Sequence, residues 1–397
     1  MNQLKQMATL AVTVLAFAAC QKETKLLSSN AEENPAVTSA QPNSNLSNAG
    51  ENFRGGNKHV YTLSNQVSGN AVVVYNREGD GMLTYSASYA TGGTGTGGGL
   101  GNQGALVMTG DDNDDDVLLA VNAGSNSISS FQIKNGGLNL KSTVNSGGMR
   151  PVSIAQHNDV VFVVNGGGTN NISGFRLNND GMLVPIANST RPLSAASTGP
   201  AQISFVNDGK VLVITEKATN KITTYTVNEF GMPGNMHSIT SSSPTPFGFA
   251  AAYNENIFVS EAVGGAAGAS VLSSYHIANN GAITLVSGSV GAGQSAACWV
   301  VITGNGKYAY VTNTASNNIT NFNVNTNTGS VSVNTAIAAT TGMGPIDAAL
   351  NNNSKYLYTL NGRSNTIGVY TVASNGSLSL LQTVTGVPVG ATGLAAK

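Results

Sequence analysis

One strand-like segment recurs along the chain, with an aliphatic residue, an aromatic residue three positions later and a glycine six or seven positions after that. The aromatic residues are Tyr75, Phe131, Phe175, Tyr225, Tyr275, Phe322 and Tyr370. The aliphatic residues are Val72, Ile128, Ile172, Ile222, Leu272, Ile319 and Ile367, and the glycines are Gly81, Gly137, Gly181, Gly231, Gly281, Gly329 and Gly376. Self-similarity at a period of several tens of residues is typical of repeat architectures. The chain therefore folds as an array of seven similar units.

Each unit contains four strand-like segments. An apolar segment such as residues 160–164 precedes the aromatic strand, and a more polar, alternating segment such as residues 377–381 follows the glycine. A short segment rich in small residues, such as residues 346–350, comes before the apolar one. Alternation indicates a half-exposed strand, and a continuous apolar run indicates a buried one. The pattern predicts a four-stranded blade, A-B-C-D, with strand A nearest the axis.

The ends of the chain indicate how the array closes. The first repeat begins at strand B near His59, and residues 391–396 form an A-type strand that has no B strand after it. We predict an all-β, seven-bladed β-propeller over residues 58–397, closed by the C-terminal innermost strand joining three N-terminal strands. Closure removes exposed edge strands. An open solenoid is the structural alternative, but solenoids need capping repeats, and the sequence shows none.

The N-terminus has the features of a bacterial lipoprotein signal. Lys5 precedes an apolar run, residues 7–19, which is too short to span a bilayer and ends in small residues just before Cys20. We predict a signal peptide over residues 1–19, acylation of Cys20 with chains such as palmitate, and a flexible tether over residues 20–57. The alternative is an ordinary secretory signal with an incidental cysteine. Residues 21–23 resemble a surface-export tag, so we expect an outer-membrane lipid anchor in the cell envelope, with the propeller periplasmic or surface-exposed.

Composition excludes several classes of partner. Only 9% of residues are charged, the formal net charge is -1 and no basic cluster occurs, which argues against nucleic acid. The glycines of residues 92–104 are not framed by a strand and a helix, so they are no dinucleotide loop; we read this segment as a flexible D–A connection. Residues 111–116 are an acidic run, read as a solvated turn rather than a calcium loop. We expect a monomer without cofactor or metal.

In a four-stranded blade, the start of strand A and the end of strand B point to the same face. The B strands end in polar residues, namely Asn65, Asn122, Asn165, Glu216, Glu261, Asn313 and Asn361. The A strands open near Arg150, Gln202, Trp299 and Asp347, and Lys217 and Arg363 follow their B strands. The four histidines, His59, His157, His237 and His276, do not reach this face. We therefore place the candidate site at this mouth of the central channel.

Structural and functional roles compete for these residues. An asparagine at a strand end often bonds its own backbone, so turn capping is favoured over ligand binding for the five asparagines. A glutamate among amides, with Arg150 nearby, is a candidate acid or base, so Glu216, Glu261 and Arg150 are the candidate catalytic residues. The candidate ligand-binding residues are Asn122, Asn165, Gln202, Trp299, Asn313, Asp347, Asn361 and Arg363.

Residues 310–319 (YVTNTASNNI) and 357–367 (LYTLNGRSNTI) resemble the lactonase family of seven-bladed propellers. That family includes phosphogluconolactonase-like proteins and carboxymuconate cyclases. The resemblance implies formation or hydrolysis of a lactone, with histidine, arginine and acidic residues at A-strand starts and B-strand ends. Arg150, Glu216, Glu261 and Asp347 match such places. Histidine is absent where the family pattern expects it, at residues 149–151 and 199–202, and an envelope location argues against a phosphorylated sugar.

Two hypotheses follow. The first is a non-enzymatic envelope module that binds a glycan, a protein or a small molecule through the site face. The second is a lactone hydrolase in which Glu216 or Glu261 acts as base and Arg150 stabilises the developing oxyanion. The lipid anchor and the missing histidines favour the binding module.

Overall fold

The computed structural model describes residues 58–109, 116–134, 137–252 and 254–397. The predicted signal peptide, Cys20 and the tether lie outside the described residues, as do residues 111–115 of the acidic run. The described chain forms seven antiparallel sheets arranged as the blades of a propeller, which confirms the predicted fold class. The described residues include no helix long and apolar enough to cross a membrane.

The strands are given blade by blade, from the innermost strand outwards. Blade 1 comprises β29 (Thr392–Ala396), β1 (His59–Leu63), β2 (Ala71–Arg77) and β3 (Leu83–Ala90). Blade 2 comprises β4 (Leu106–Met108), β5 (Val117–Asn122), β6 (Ser127–Lys134) and β7 (Gly137–Asn145). Blade 3 comprises β8 (Met149–His157), β9 (Val160–Gly167) and β10 (Asn171–Leu177), and its outer strand is split into β11 (Leu183–Pro185) and β12 (Arg191–Pro192).

The remaining blades follow the same order. Blade 4 comprises β13 (Pro200–Val206), β14 (Val211–Glu216), β15 (Lys221–Val227) and β16 (Pro233–Thr240). Blade 5 comprises β17 (Pro246–Ala251), β18 (Asn256–Glu261), β19 (Val271–Ile277) and β20 (Ile283–Gly291), with a 3-10 turn at Val263–Gly265. Blade 6 comprises β21 (Ala297–Ile302), β22 (Tyr308–Asn313), β23 (Asn318–Val324) and β24 (Val331–Thr340). Blade 7 comprises β25 (Pro345–Leu350), β26 (Tyr356–Asn361), β27 (Thr366–Val372) and β28 (Leu378–Val384).

The repeated residues form the core between blades. All seven repeat aliphatics have an exposed fraction of 0%, and no repeat aromatic exceeds 3%. The turn glycines pack against neighbouring blades: a Cβ on Gly81, which has φ +93°, would lie 2.2 Å from Cε1 of Tyr356 in blade 7. Both the left-handed backbone and this close approach require glycine. The repeat therefore specifies contacts between blades as well as the blade itself.

The two ends of the chain close the ring within blade 1. Strand β29 pairs antiparallel with β1, and Thr62 Oγ1 donates a 2.7 Å hydrogen bond to the carbonyl of Gly393. Arg77 Nε donates to the carbonyl of Lys397 at 2.8 Å. One C-terminal and three N-terminal strands thus make a single sheet, as predicted, and the last blade has a neighbour on each side.

Candidate functional site

Glu216 ends strand β14 and is completely buried. Its carboxylate accepts hydrogen bonds from Thr219 Oγ1 and Thr223 Oγ1, each at 2.7 Å, and from the Ser194 amide at 3.2 Å. The Ser194 hydroxyl donates a further, short hydrogen bond. Four donors occupy this carboxylate, and they come from the B–C turn, strand C and the preceding connection. Its contacts therefore join the B–C hairpin to the connection that precedes the blade.

Glu261 holds the equivalent position in blade 5 and is also completely buried. Ser273 Oγ donates to its carboxylate at 2.7 Å, and the Tyr275 hydroxyl donates at 2.8 Å. Burial raises the pKa of Glu261, and the hydrogen bonds from Ser273, Tyr275 and the backbone of Ser243 and Ser242 oppose that rise. Neither glutamate forms an ion pair with Arg150 in the part of the chain that the structure describes.

Four of the five asparagines that end B strands also bond within their hairpins, whereas Asn65 Nδ2 donates to Thr96 and to the carbonyls of Gly98 and Gly390. Asn122 Nδ2 donates to Ser127 and Ser129, Asn165 Nδ2 to Asn171, Asn313 Nδ2 to Asn318 and Thr320, and Asn361 Nδ2 to Thr366. The repeated pattern links the end of strand B to the start of strand C. It supplies buried polar groups with partners inside each blade. A role for these four asparagines in binding stays a prediction.

The connection between β3 and β4 lies across the mouth of the channel. It leaves blade 1 and enters blade 2, yet it contacts the innermost strands of distant blades. Asn102 Nδ2 donates to the Pro200 carbonyl in blade 4 at 3.0 Å, and Trp299 Nε1 of blade 6 donates to the Asn102 carbonyl at 3.0 Å. Gln103 Nε2 donates to the Val300 carbonyl at 2.8 Å, and Gln103 Oε1 accepts from the Val300 amide at 3.1 Å. We call residues 98–104 the plug; they are ordered by these bonds, contrary to our expectation of a flexible connection.

Two cations lie beside the plug. Lys217 follows Glu216 directly and is half-buried; its Nζ donates a 2.6 Å hydrogen bond to the Gly101 carbonyl and lies 4.6 Å from the centroid of the Phe247 ring. Arg150 is exposed, with φ +53°. Burial lowers the pKa of Lys217 to about 7, and the nearby positive charge of Arg150 adds to this effect. Among the described residues, neither cation has an acidic partner.

Two buried aromatic rings form the floor of this mouth. Phe247 and Trp299 have exposed fractions of 2% and 1%, and their ring centroids lie 5.2 Å apart. A lysine above an aromatic face gains a cation–π contact, but it loses hydration, and this loss favours the neutral amine. We call the group formed by Arg150, Lys217, Phe247 and the Gly101 carbonyl the mouth site.

Below the plug, the channel contains a polar cavity of about 200 Å³ lined by innermost strands of blades 1, 2, 3, 4 and 7. Gln202 lines it, and its amide pairs with the backbone of Phe249 at 2.7 and 3.0 Å. Asp347 also lines it and is 2% exposed. Burial raises the pKa of Asp347 well above its usual value, against hydrogen bonds from the backbone of Ala348 and Leu394.

The structure thus divides the predicted residues among three places. Arg150 belongs to the mouth site and Trp299 packs beside its Phe247 ring, Gln202 and Asp347 lie in the channel, and Glu216, Glu261 and the four asparagines lie inside the blades. Arg363 is exposed, and its side chain lies against Gly344 of blade 7. Lys217 and the plug were not among the predicted site residues. The unusual length and glycine content of residues 91–105 were the available signal, because long loops in compact domains are commonly functional.

These features define a closed seven-bladed propeller with a plugged channel mouth. The family model "Lactonase, 7-bladed beta-propeller" matches residues 108–261 and 273–394. The chain belongs to this lactonase family. No curated protein matches it.

Solved structures show the same fold at low identity. A candidate 6-phosphogluconolactonase from Bacteroides uniformis is 20% identical with a TM-score of 0.67, covering 84% of this chain and 99% of its own. A protein from Lactobacillus plantarum is 18% identical with a TM-score of 0.69, covering 86% and 99%. The periplasmic gluconolactonase of Pseudomonas aeruginosa is 15% identical with a TM-score of 0.65, covering 84% and 98%. At these identities the likeness shows the fold alone.

Proposed function

We propose that the protein is a cell-envelope binding module, anchored through a lipid on Cys20, whose mouth site binds an anionic small molecule or acidic glycan. The observation that carries this proposal is the pairing of Arg150 with Lys217. Two neighbouring cations without an acidic partner among the described residues repel each other, and an anion between them removes that repulsion. Arginine and lysine are also the side chains that bind carboxylates most strongly.

A sugar acid is the candidate ligand, because its carboxylate can bind between the two cations. The Gly101 carbonyl already accepts from Lys217 Nζ at 2.6 Å, and the rings of Phe247 and Trp299 are buried, so these groups support the lysine and leave its charge to the ligand. When the carboxylate binds, its negative charge would raise the pKa of Lys217 above 7 and keep the ammonium form.

Isothermal titration calorimetry on protein beginning at residue 58 tests this proposal, with gluconate and glucuronate as probes and glucose as the neutral comparison. We expect both acids to bind, glucose not to bind, and Lys217→Met and Arg150→Ala each to weaken binding at least tenfold. Lys355→Met is the matched control, because Lys355 is an exposed cation in a turn between strands A and B on the opposite face. Equal binding of acids and glucose, or equal losses in the control, would contradict the proposal.

A lactone hydrolase is the second candidate, and the lowered pKa of Lys217 favours it together with the family. In this reaction the neutral amine of Lys217 takes a proton from water, and the hydroxide attacks the lactone carbonyl while Arg150 stabilises the oxyanion. The ring C–O bond then breaks and the alkoxide takes the proton back from Lys217. Turnover of glucono-lactone that Lys217→Met reduces at least a hundredfold, and that rises through pH 7 in the native protein, would establish it.

A further inference from the structure

The innermost strands carry a repeated device that ties each blade to the next. Strands β8, β13 and β25 each have a bulge, and the residue after the bulge is Ser153, Gln202 or Asp347. Ser153 Oγ accepts from the Ile203 amide of the next blade at 3.2 Å, and Gln202 Oε1 accepts from the Phe249 amide at 2.7 Å. Asp347 lines the same cavity as Leu394 of blade 1, whose backbone opposes the rise in the Asp347 pKa.

Asp347 differs from its two counterparts in charge. At Ser153 and at Gln202 a neutral oxygen accepts the hydrogen bond from the next blade, so this contact does not require a carboxylate. Asp347 Oδ1 accepts from the Ala348 amide at 2.8 Å, whereas Oδ2 is buried and has no hydrogen-bond partner among the described residues. Burying a carboxylate oxygen without a hydrogen-bond partner costs free energy. A positively charged partner would offset this cost.

The surroundings of Asp347 offer oxygen atoms and no positive charge. The cavity walls include the side chains of Gln156 and Ser204 but no lysine or arginine, and the side-chain oxygens of Gln103 and Gln202, which also line it, already accept from backbone amides. Each innermost strand is also the edge of its sheet, so its inner backbone groups have no partner within the sheet. Carboxylate and carbonyl oxygens are the ligands that hard cations prefer. No group of three histidine, cysteine, aspartate or glutamate side chains clusters in the described chain, so neutral oxygens would complete the shell.

We propose that the channel cavity binds a hard metal cation through Asp347 Oδ2 and neutral oxygens of the innermost strands. The bound cation stabilises ring closure, because Asp347 of blade 7 and Leu394 of blade 1 line the same cavity, where the two ends of the chain meet.

A second cavity lies on the face opposite the plug. The innermost strands of blades 3, 4, 5 and 6 end around this wider cavity of about 710 Å³, which includes Asp208 and Glu255 in its walls. Gln156 lines both this cavity and the smaller one around Asp347, and neither cavity has Arg150 or Lys217 in its walls.

Elemental analysis and thermal unfolding of protein treated with a chelator and dialysed test this proposal, with sodium, potassium, magnesium and calcium added separately at constant ionic strength. We expect one bound ion per chain for one of these metals and a rise in Tm of about 2 °C or more at saturation. The monovalent and divalent arms distinguish the two classes of ion.

The variants separate the site from general salt effects. Asp347→Asn keeps the size of the side chain and the acceptor for the Ala348 amide but loses the response to the ion, while Asp80→Asn, in an exposed outer turn, responds as the native protein does. Asp347→Ser, which copies Ser153, replaces Asp347→Asn if that variant does not fold. Absence of a bound ion in the native protein, or an equal response of the Asp347 variants, would overturn the proposal.

Discussion

Glu216 and Lys217 are neighbours in sequence but belong to different parts of the molecule. The Glu216 carboxylate accepts four hydrogen bonds inside the blade, two from its own hairpin and two from Ser194 in the preceding connection. The Lys217 ammonium reaches the other way, over Phe247 to the plug. One residue beyond the end of strand B therefore changes the environment from the interior of a blade to the mouth of the channel.

This difference shows which ionisable groups are free to act on a ligand. Glu216 and Glu261 already have hydrogen-bond donors, and a ligand would have to displace protein groups to reach them. Lys217 and Arg150 have no acidic partner among the described residues, and burial leaves the Lys217 amine with a pKa of about 7. We infer that the two carboxylates stabilise the blades, whereas the two cations remain available to bind a ligand.

The largest effect that follows from this comparison is on stability. We expect Glu216→Ala to lower the free energy of unfolding by about 4 kcal/mol, because it removes an acceptor for four donors, two of which belong to Ser194, and leaves a buried gap. The urea-unfolding midpoint measures this loss. Glu229→Ala, at an exposed turn residue, is the matched control and changes the midpoint little.

The variant Glu216→Gln separates a structural role from a chemical one. If Glu216 contributes only to the hairpin, this variant loses stability but binds sugar acids as the native protein does once folded. Full stability together with lost lactone turnover would instead assign a chemical role to Glu216 and contradict the comparison.

The repeat made the fold predictable from the sequence. The spacing from Ile222 to Tyr225 to Gly231, kept through seven copies, reports a local strand and turn whose side chains pack between blades. Register and closure follow because residues 391–396 need a partner and strand β1 lacks an inner neighbour. Such features depend on nearest-neighbour contacts, which a periodic sequence encodes directly.

The candidate site was harder to predict, because it depends on contacts between residues far apart in sequence. Burial lowers the pKa of Lys217, and the charge of Arg150, which lies 67 positions before it in the chain, adds to this effect. The plug joins Asn102 to Trp299, two residues with no shared pattern. The sequence showed that Glu216 is a charged residue at the end of a strand. Its hydrogen-bond donors, such as Ser194 and Thr223, are not part of the repeated aliphatic, aromatic and glycine positions, so the repeat did not predict them.

An intermediate effect is expected where the plug meets the floor of the mouth. Trp299→Phe keeps an aromatic ring beside Phe247 but removes the donor to the Asn102 carbonyl, which costs about 2 kcal/mol because a buried acceptor loses its partner. Hydrogen–deuterium exchange then accelerates at residues 98–104. Tyr310→Phe removes a comparable buried donor, the 2.8 Å bond to the Gly376 carbonyl, and leaves exchange in the plug unchanged. Equal exchange rates in both variants would mean that Trp299 does not hold the plug.

The smallest effect concerns the pH dependence that Lys217 imparts to stability. Its pKa is about 7 in the folded protein against an ordinary value of 10.5, so between these pH values the unfolded chain binds more protons than the folded one. Stability therefore rises with pH across this window, and the cost of burying the ammonium is greatest below pH 7. Lys217→Met does not bury an ammonium group, so its free energy of unfolding does not gain with pH as that of the native protein does. The difference between variant and native protein should therefore fall by about 1 kcal/mol from pH 6 to pH 9, an estimate that includes a reduction for solvent screening. Urea unfolding at both pH values measures the difference, with Lys355→Met expected to parallel the native protein. If the difference in unfolding free energy between Lys217→Met and the native protein did not change with pH, the Lys217 amine would be fully hydrated. Glu216 and Lys217 would then differ only in their hydrogen bonds, because burial would no longer set Lys217 apart.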